Sequence, residues 1–575
     1  MKGTRVRQYR IGLAVVILSS FLVGCTTSAT SRYFGQTIAP TDNVLRYISG
    51  SEPESLDPQF VTGQPEARIM MAIYDGLVEY HPITMEPIPA IAESWELSSD
   101  GTEYLFHLRK NAKFSNGDPV TAKDFVYSFR RALSPELASR NANLAYYIKY
   151  SEAYNSNHSF VRKPDGTLLL KKDFEEGTGL PQEHKVLGAD SDFHQFLDSP
   201  QRLTVPSDEK ERAKAYEKDA KMQAALKGTE LVPVKAEDIG VEAVDDYTLR
   251  LKLYQPAPFF LGLLCHQFFR VVHQPTIEKF GKDWVKPQNI VTSGPFKIKV
   301  YKPYDELVVE KDPNYWDAAN VKLNGIEFYP LDEQTTMQNL YKAGKVDATY
   351  NHTVPAAWNE TIRQYTAEYS LHPEVAVEYY SLSVKKPPMD NIKVRKALAL
   401  AVDREALAKF RKTQKPLVDF TPEGIFPKYE EARQKVYTQL LKEQGSSMEE
   451  WKARIFDAEK ARKLLTEAGY PVQQSGSGWS CPTFPIEQVS ITYNTAESNQ
   501  RVAEFIQAQW KQNLGLTFPL KNMEFKTFLP YRSAVEYQGA VRNGWVGDYM
   551  DPFTFLNLFY SPQNDGATGW WDPKY

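Results

Sequence analysis

Apolar and polar positions change period along the chain, and each change marks an element. Val44-Leu45-Arg46-Tyr47-Ile48 alternates as a strand does, and residues 50–58 form a turn-rich exit. Ile69, Ala72, Ile73 and Leu77 fall at helical spacing and predict a helix over 68–77. Asp100-Gly101 is a hairpin signal, and Tyr104, Phe106 and Leu108 after it alternate as one buried strand face. Asn116-Gly117 is a second turn, and Thr121 suits the N-cap of a helix carrying Asp124 in its first turn. Residues 241–253 read as strands around Asp245-Asp246, and Pro256-Ala257-Pro258 opens an apolar segment reaching Phe269. Val394, Ala397, Leu398, Ala401 and Val402 form a helix stripe. Residues 458–468 are a helix stopped by Gly469, Val489, Ile491 and Tyr493 alternate as a strand, and 499–514 are a helix ending at Gly515. Strands alternating with helices predict α/β domains.

One region breaks the pattern. Residues 152–233 are polar and charged, with a turn at Lys163-Pro164-Asp165-Gly166 and a charged helical stretch at 207–228. The length argues against a structureless loop. A solvated elaboration of its domain and a partner-docking surface both remain open.

The first 25 residues are a targeting segment. Lys2, Arg5, Arg7 and Arg10 precede a short apolar run from Ile11, too short for a stable bilayer span. Leu22-Val23-Gly24-Cys25 resembles the bacterial lipobox, whose cysteine is lipidated and becomes the new N-terminus. An ordinary cleaved signal with Cys25 incidental is the alternative. Residues 26–39 are expected to be a flexible tether. The expected location is therefore extracytoplasmic, lipid-anchored to a bacterial membrane, in the periplasmic space or at the cell surface.

At 575 residues the chain has room for three or four units of ~150 residues. A net charge of −4 supplies neither the basic field of a nucleic-acid binder nor an acidic disordered block, so no nucleic acid is expected. Beyond Cys25 only Cys265 and Cys481 remain; they permit one disulfide without showing that they meet. No Cys/His spacing suits zinc, and neither a metal nor a cofactor is expected.

Gly544-Trp545-Val546-Gly547-Asp548-Tyr549-Met550-Asp551-Pro552 packs aromatics, glycines and carboxylates into one stretch. Asp548, three residues after Trp545, suits a cation such as an amino terminus, by charge-assisted hydrogen bonds and cation–π contact. The plain alternative is a tyrosine-rich turn with solvated acids.

Ala90-Ile91-Ala92-Glu93-Ser94-Trp95, the 98–109 hairpin and 112–128 together resemble the extracytoplasmic solute-binding proteins of the oligopeptide and dipeptide transporter family. Asn289 to Phe296, Asp312-Pro313-Asn314-Tyr315-Trp316, Gly344-Lys345-Val346-Asp347 and 390–398 continue the resemblance. It runs from about Leu45 to the end, apart from the insertion. It implies an α/β, two-lobed, three-domain periplasmic-binding-protein fold, with a hinge and a ligand cleft. The expected divisions are domain I at 40–74 and 238–374, domain II at 75–237 with the insertion, and domain III at 375–575. Family members continue past this region and return a last strand to the first domain, whereas this chain stops at Tyr575; the expectation is a truncated third domain.

The resemblance places the peptide's amino-terminal anchor on Asp548, with Trp545 walling the pocket and the Gly544 backbone close to the peptide. Phe525 takes a position where oligopeptide-binding members have tryptophan. Arg532 and Arg542 align with cationic positions near the ligand carboxylate, each reading equally as a surface salt bridge; Lys412 is a weaker position of that kind. Asn494 is a polar liner or a strand-end turn, and Asn499 replaces a histidine of the family pattern. Thr62-Gly63-Gln64, with Thr62 replacing an acidic residue, and Ser293-Gly294-Pro295 are expected to form the opposite wall. The family disulfide would join the positions of Ala376 and Val546, so that bridge is absent.

No HExxH, GxSxG or P-loop motif supports an enzyme. The expected function is the substrate-binding subunit of an ABC importer, capturing peptides between two lobes for the permease and ATPase subunits. A lipid-anchored peptide receptor or chaperone without transport, or a binder of a nickel chelate, haem or sugar, are the alternatives.

Overall fold

The computed structural model describes residues 33–36, 41–174, 201–349, 354–355, 358–372, 374–417, 419–425, 428–443, 445–449, 455–559 and 568–570. The targeting segment, Cys25 and tether residues 26–32 and 37–39 lie outside the described residues. The described part of the tether departs from the flexible chain expected of it. Phe34 meets the rings of Trp358 and Tyr365 edge-on, and the backbone N–H groups of Phe34 and Gly35 donate to Glu368. An aromatic ring with partners for its flanking amides docks instead of remaining solvated.

Three sheets organise the chain. The first runs Phe296–Lys302, Glu306–Lys311, Gly325–Pro330, Val44–Gly50 and Ala348–Thr349 in spatial order. Val44–Gly50 lies parallel to both its neighbours, and helix Gln64–Ile73 buries Ile69, Met70 and Ile73 in that domain's core. This helix lies earlier than predicted, because Gly63 caps it and Pro65 sits in its first turn, where a missing N–H costs nothing.

The second sheet is antiparallel, ordered Ala92–Leu97, Glu103–Leu108, Thr248–Lys252 and Val241–Asp245. The expected boundary at 238 is therefore corrected. Leu249 and Leu251 stand opposite Phe106 and Tyr104, and the second core extends through Val271 before Val272 enters the first. An alternating apolar face goes where its partners are, and here they belong to the second domain. The Asp124 carboxylate accepts from the Thr121 N–H and hydroxyl, both at 2.8 Å, at the start of helix Ala122–Ala132.

The insertion folds as a three-stranded antiparallel sheet, Thr204–Pro206, His158–Arg162 and Glu230–Pro233, over a small core of Val161, Leu169, Leu203, Val205 and Met222. Its predicted helical stretch is split into Glu209–Ala215 and Ala220–Leu226, because Asp208 and Asp219 each cap a new start. Residues 175–200 lie outside the described residues.

The third sheet runs Ala376–Leu382, Gly539–Val546, Ser490–Asn494 and Leu520–Met523. The first pair is antiparallel and the others parallel. Helices Ile392–Leu400, Ala458–Glu467 and Glu497–Leu514 supply its core through Val394, Leu398, Leu465, Ile506 and Trp510. Cys265 and Cys481 are free and buried in different cores, so they do not pair.

Ala376 and Val546 stand directly opposite each other. The adjacent Gly547 N–H donates to the Val375 carbonyl at 2.8 Å, so Ala376 and Val546 form a pair without ladder bonds, with Cα atoms about 4.5 Å apart. That separation is within disulfide range. The double variant A376C/V546C is expected to oxidise in air and to add about 2–4 kcal/mol. Thiol titration of the unfolded chain, with denaturant unfolding before and after reduction, checks it.

Candidate functional site

The site is built on one strand with unequal edges. Gly539–Val546 pairs with Ala376–Leu382 at Cα partners running from Ala540 to Val546. On its other side Ser490–Asn494 pairs only with residues 539–541. Among the described residues no strand pairs with 542–546 on that side, which leaves an open backbone edge. The Gly544 N–H is met instead by the Asn543 side-chain Oδ1 at 2.9 Å. The plain reading of 544–552 as a turn is corrected accordingly: Gly544, Trp545 and Val546 are strand residues, and the chain leaves the ladder only afterwards. Trp545 packs beside Val377, Phe420 and Phe555, and its indole N–H donates to Thr554 Oγ1 at 3.3 Å.

Asp548 lies just beyond the open edge. Its backbone N–H donates to Thr554 Oγ1 at 3.0 Å, and that hydroxyl is 3.3 Å from Asp548 Oδ2. The remaining neighbours come from the second domain. The Tyr80 hydroxyl lies between the carbonyls of Asp548 and Gly262, and His266 Nε2 is 3.5 Å from Asp548 Oδ1. Next in sequence, Tyr549 stacks on Phe259 with ring centroids 4.8 Å apart, inside the second core. A loop of the third domain is thus seated in the second.

The electrostatics of this corner favour an incoming cation. His266 Nδ1 accepts from the Phe268 N–H at 3.2 Å, which puts the proton of the neutral ring on Nε2, facing Asp548. Burial, with the nearby Arg270 charge, pushes His266 down to about 3, so the ring is neutral. Burial pushes Asp548 up to about 7, against the opposing Thr554 hydrogen bond. Among the described residues, His266 is the only basic group within ion-pair distance of Asp548. Asp551 acts differently, since its Oδ1 accepts from the Phe553 N–H at 2.9 Å and starts the short helix Phe553–Leu556.

The cationic end is less uniform than expected. Arg542 Nε donates to Glu378 Oε1 at 3.2 Å, and its NH1 group to Asn494 Oδ1 at 3.4 Å, across the gap where the two strands part. Asn499 Nδ2 donates to the same Asn494 oxygen at 3.0 Å. Arg532 NH1 donates to Asn543 Oδ1 at 2.8 Å, while its Nε is buried without a partner. Burial, reinforced by the charges of Arg542 and Arg140, lowers the Arg532 pKa. Lys412 stands apart: it ends helix Arg404–Arg411 and pairs with exposed Glu360 at 3.3 Å.

The glycines differ in what they accommodate. A Cβ on Gly294 would lie 2.5 Å from the Ile73 carbonyl carbon and 2.6 Å from Tyr74 N, so its own domain requires glycine there. A Cβ on Gly63 would lie 2.2 Å from Glu66 Oε2 and 3.2 Å from Phe525 Cε1. Gly63 and Phe525 thus meet across the lobes, joining two residues read separately from the sequence. Around Gly544 the nearest atoms to a Cβ would be 3.6 Å away, an ordinary contact, so nothing among the described residues excludes a side chain.

Thr554, Tyr80, His266, Asn543 and Glu378 were not legible as site residues. Asp551-Pro552 marks a helix start, and hence a nearby hydroxyl; the others are visible only once strands and domains are assembled. Together the site offers an open strand edge, a carboxyl with no cation of its own at one end, and guanidinium groups near the other.

Comparisons with known proteins agree with this architecture. The family model described as "Bacterial extracellular solute-binding proteins, family 5 Middle" matches residues 86–567. The periplasmic oligopeptide-binding protein OppA of Salmonella typhimurium is 28% identical over 563 residues, covering 98% of this chain and 85% of that protein. The OppAIV structure from Borrelia burgdorferi aligns with a TM-score of 0.69 and 28% identity, covering 92% of this chain and 86% of that one. Haemophilus influenzae OppA in complex with RPPGFSPFR aligns with a TM-score of 0.69 and 27% identity, covering 93% of this chain and 86% of that one. The expected periplasmic-binding-protein fold is borne out.

Thr554→Val keeps the shape and removes the hydroxyl that serves Trp545 and Asp548. Two donors then lose their acceptor, and a loss of about 1–3 kcal/mol is expected in denaturant unfolding. Asp548 should titrate higher still, since its Thr554 bond is the one interaction lowering it. The ligand-free protein supplies a second measurement. From about pH 4 to about 7 the folded state holds a proton on Asp548 that the unfolded state has released. Asp548 therefore makes stability fall as pH rises through that window, a slope that D548N should remove.

Proposed function

The chain belongs to the bacterial extracellular solute-binding proteins of family 5, and from that premise we propose that it captures oligopeptides for an ABC importer. It is anchored outside the cytoplasm by lipid on Cys25 and hands its peptide to the permease and ATPase subunits. The reading is carried by one observation: a largely buried Asp548, without a cationic partner of its own among the described residues, beside the open edge of residues 542–546.

Main-chain bonds to a strand edge are available to every peptide whatever its sequence, which suits a binder of varied ligands. An extended peptide adds along residues 542–546. Its ammonium meets Asp548 beside the Trp545 face, and the Gly544 backbone lies against its main chain. Gly63 and Phe525 close over it from the two lobes. Arg532, Arg542 and Asn494 lie toward its far end, while Lys412, paired with Glu360, stands apart. Binding is non-covalent, and no cofactor takes part.

Two calorimetric measurements test the reading. Acetylating the amino terminus of a short peptide should weaken binding at least about thirtyfold, the ~2 kcal/mol lower bound for truncating a buried charged pair. Unchanged affinity would remove Asp548 as the amine anchor. The pH dependence has a definite sign, because the ammonium pairs with the ionised carboxyl. With Asp548 at about 7, affinity should climb roughly tenfold per pH unit toward neutrality and fall again above about pH 8, as the α-amine loses its proton. D548N should flatten the acidic limb.

A further inference from the structure

Two arginines lie near the far end of the open edge, and their surroundings are not equivalent. Glu378 stands opposite Gly544 in the third sheet, on the strand next to Arg542. Its Oε1 accepts from Arg542 Nε at 3.2 Å. Its Oε2 accepts from Gln414 Nε2 at 3.2 Å and lies 3.8 Å from Arg411 NH2. Both carboxylate oxygens are thus engaged within the protein. The side chains of Glu378, Arg542 and Arg411 retain only 20%, 26% and 12% of their exposure. Burial opposes the Glu378 charge, yet Arg542 and Arg411 more than offset it and hold the carboxyl below its usual range.

Arg532 is different. Its NH1 group shares Asn543 Oδ1 with the Gly544 N–H, which places it against the open edge. No carboxylate among the described residues lies within ion-pair distance of it, and its Nε is buried without a partner. A ligand carboxylate approaching Arg542 must compete with Glu378, whereas one approaching Arg532 meets a cation with no internal rival.

We propose that Glu378 is a specificity-determining counter-ion, which keeps Arg542 in an internal ion-pair cluster and leaves Arg532 to take the carboxylate end of the bound peptide. The inference rests on the peptide-binding reading and deepens it. The cleft reads a free carboxyl terminus through one arginine, and the second is held in reserve by a neighbouring acid. Removing the charge of Glu378 releases Arg542 as a second carboxylate site and tightens binding of free acids selectively.

Calorimetry with oligoalanines of increasing length, each as the free acid and as the C-terminal amide, tests this on the full chain. The wild type should prefer the acid. Arg532→Gln should bring the acid-to-amide ratio to within about threefold of unity, while Arg542→Gln should leave it near the wild-type value. Glu378→Gln should raise affinity for the acid about tenfold without changing that for the amide. The proposal is overturned if Arg542→Gln erases the ratio while Arg532→Gln preserves it, or if folded Glu378→Gln keeps the wild-type ratio. The two arginine variants decide the matter even if Glu378→Gln fails to fold. If no peptide binds the wild type in either form, the peptide-binding reading fails and this inference with it; binding with the wrong ratios defeats the inference alone.

Discussion

The site depends on the unequal pairing of one strand. Gly539–Val546 is bonded on both edges at its start and on one edge at its end, because Ser490–Asn494 parts from it after Val541. An unpaired edge is ordinarily an aggregation hazard. Close to it in sequence, Phe525 approaches Gly63 of the first domain and Tyr549 is seated in the second core. On the peptide-binding reading, the parting of two strands is what makes a surface for a single extended peptide.

Charge gives that surface a direction. Main-chain bonds alone cannot distinguish one end of a peptide from the other; on the peptide-binding reading, Asp548 at one end and arginines near the other do so. The protein arranges the two ends differently. Burial raises the Asp548 pKa against the opposing Thr554 hydrogen bond, and its neighbours His266 and Tyr80 bring no compensating charge. At the cationic end two guanidinium groups share Glu378, and a third lacks a carboxylate among the described residues. The Asp548 end favours a protonated, uncharged carboxyl, whereas the arginine end keeps its charge partly neutralised by Glu378.

Several elements were legible because a local pattern determines them. The Asp100-Gly101 hairpin, the Thr121–Asp124 helix start and the Val394 to Leu398 stripe need only near neighbours in sequence. The return to the first domain was misread because the partners of Leu249 and Leu251 lie more than a hundred residues earlier, and alternation does not say which sheet a strand joins. The insertion's sheet was missed for the same reason. Asp548 could be singled out through the resemblance, but its burial could not, since Tyr80 and His266 belong to another domain.

The origin of that burial has a mechanical consequence. The groups that exclude water from Asp548 stand partly on its own loop and partly on the second domain, so they assemble only when the loop is seated there. On the peptide-binding reading, separating the third domain from the second hydrates the carboxyl, removes the main cause of its raised pKa and favours ionisation. Bringing the lobes together without a cation then requires either a proton or a costly buried charge. Closing on an ammonium requires neither, because the ligand supplies the compensating charge. On that reading the preference for an amine and the preference for closure are one electrostatic term, at the contact between domains that Tyr549 and Tyr80 make.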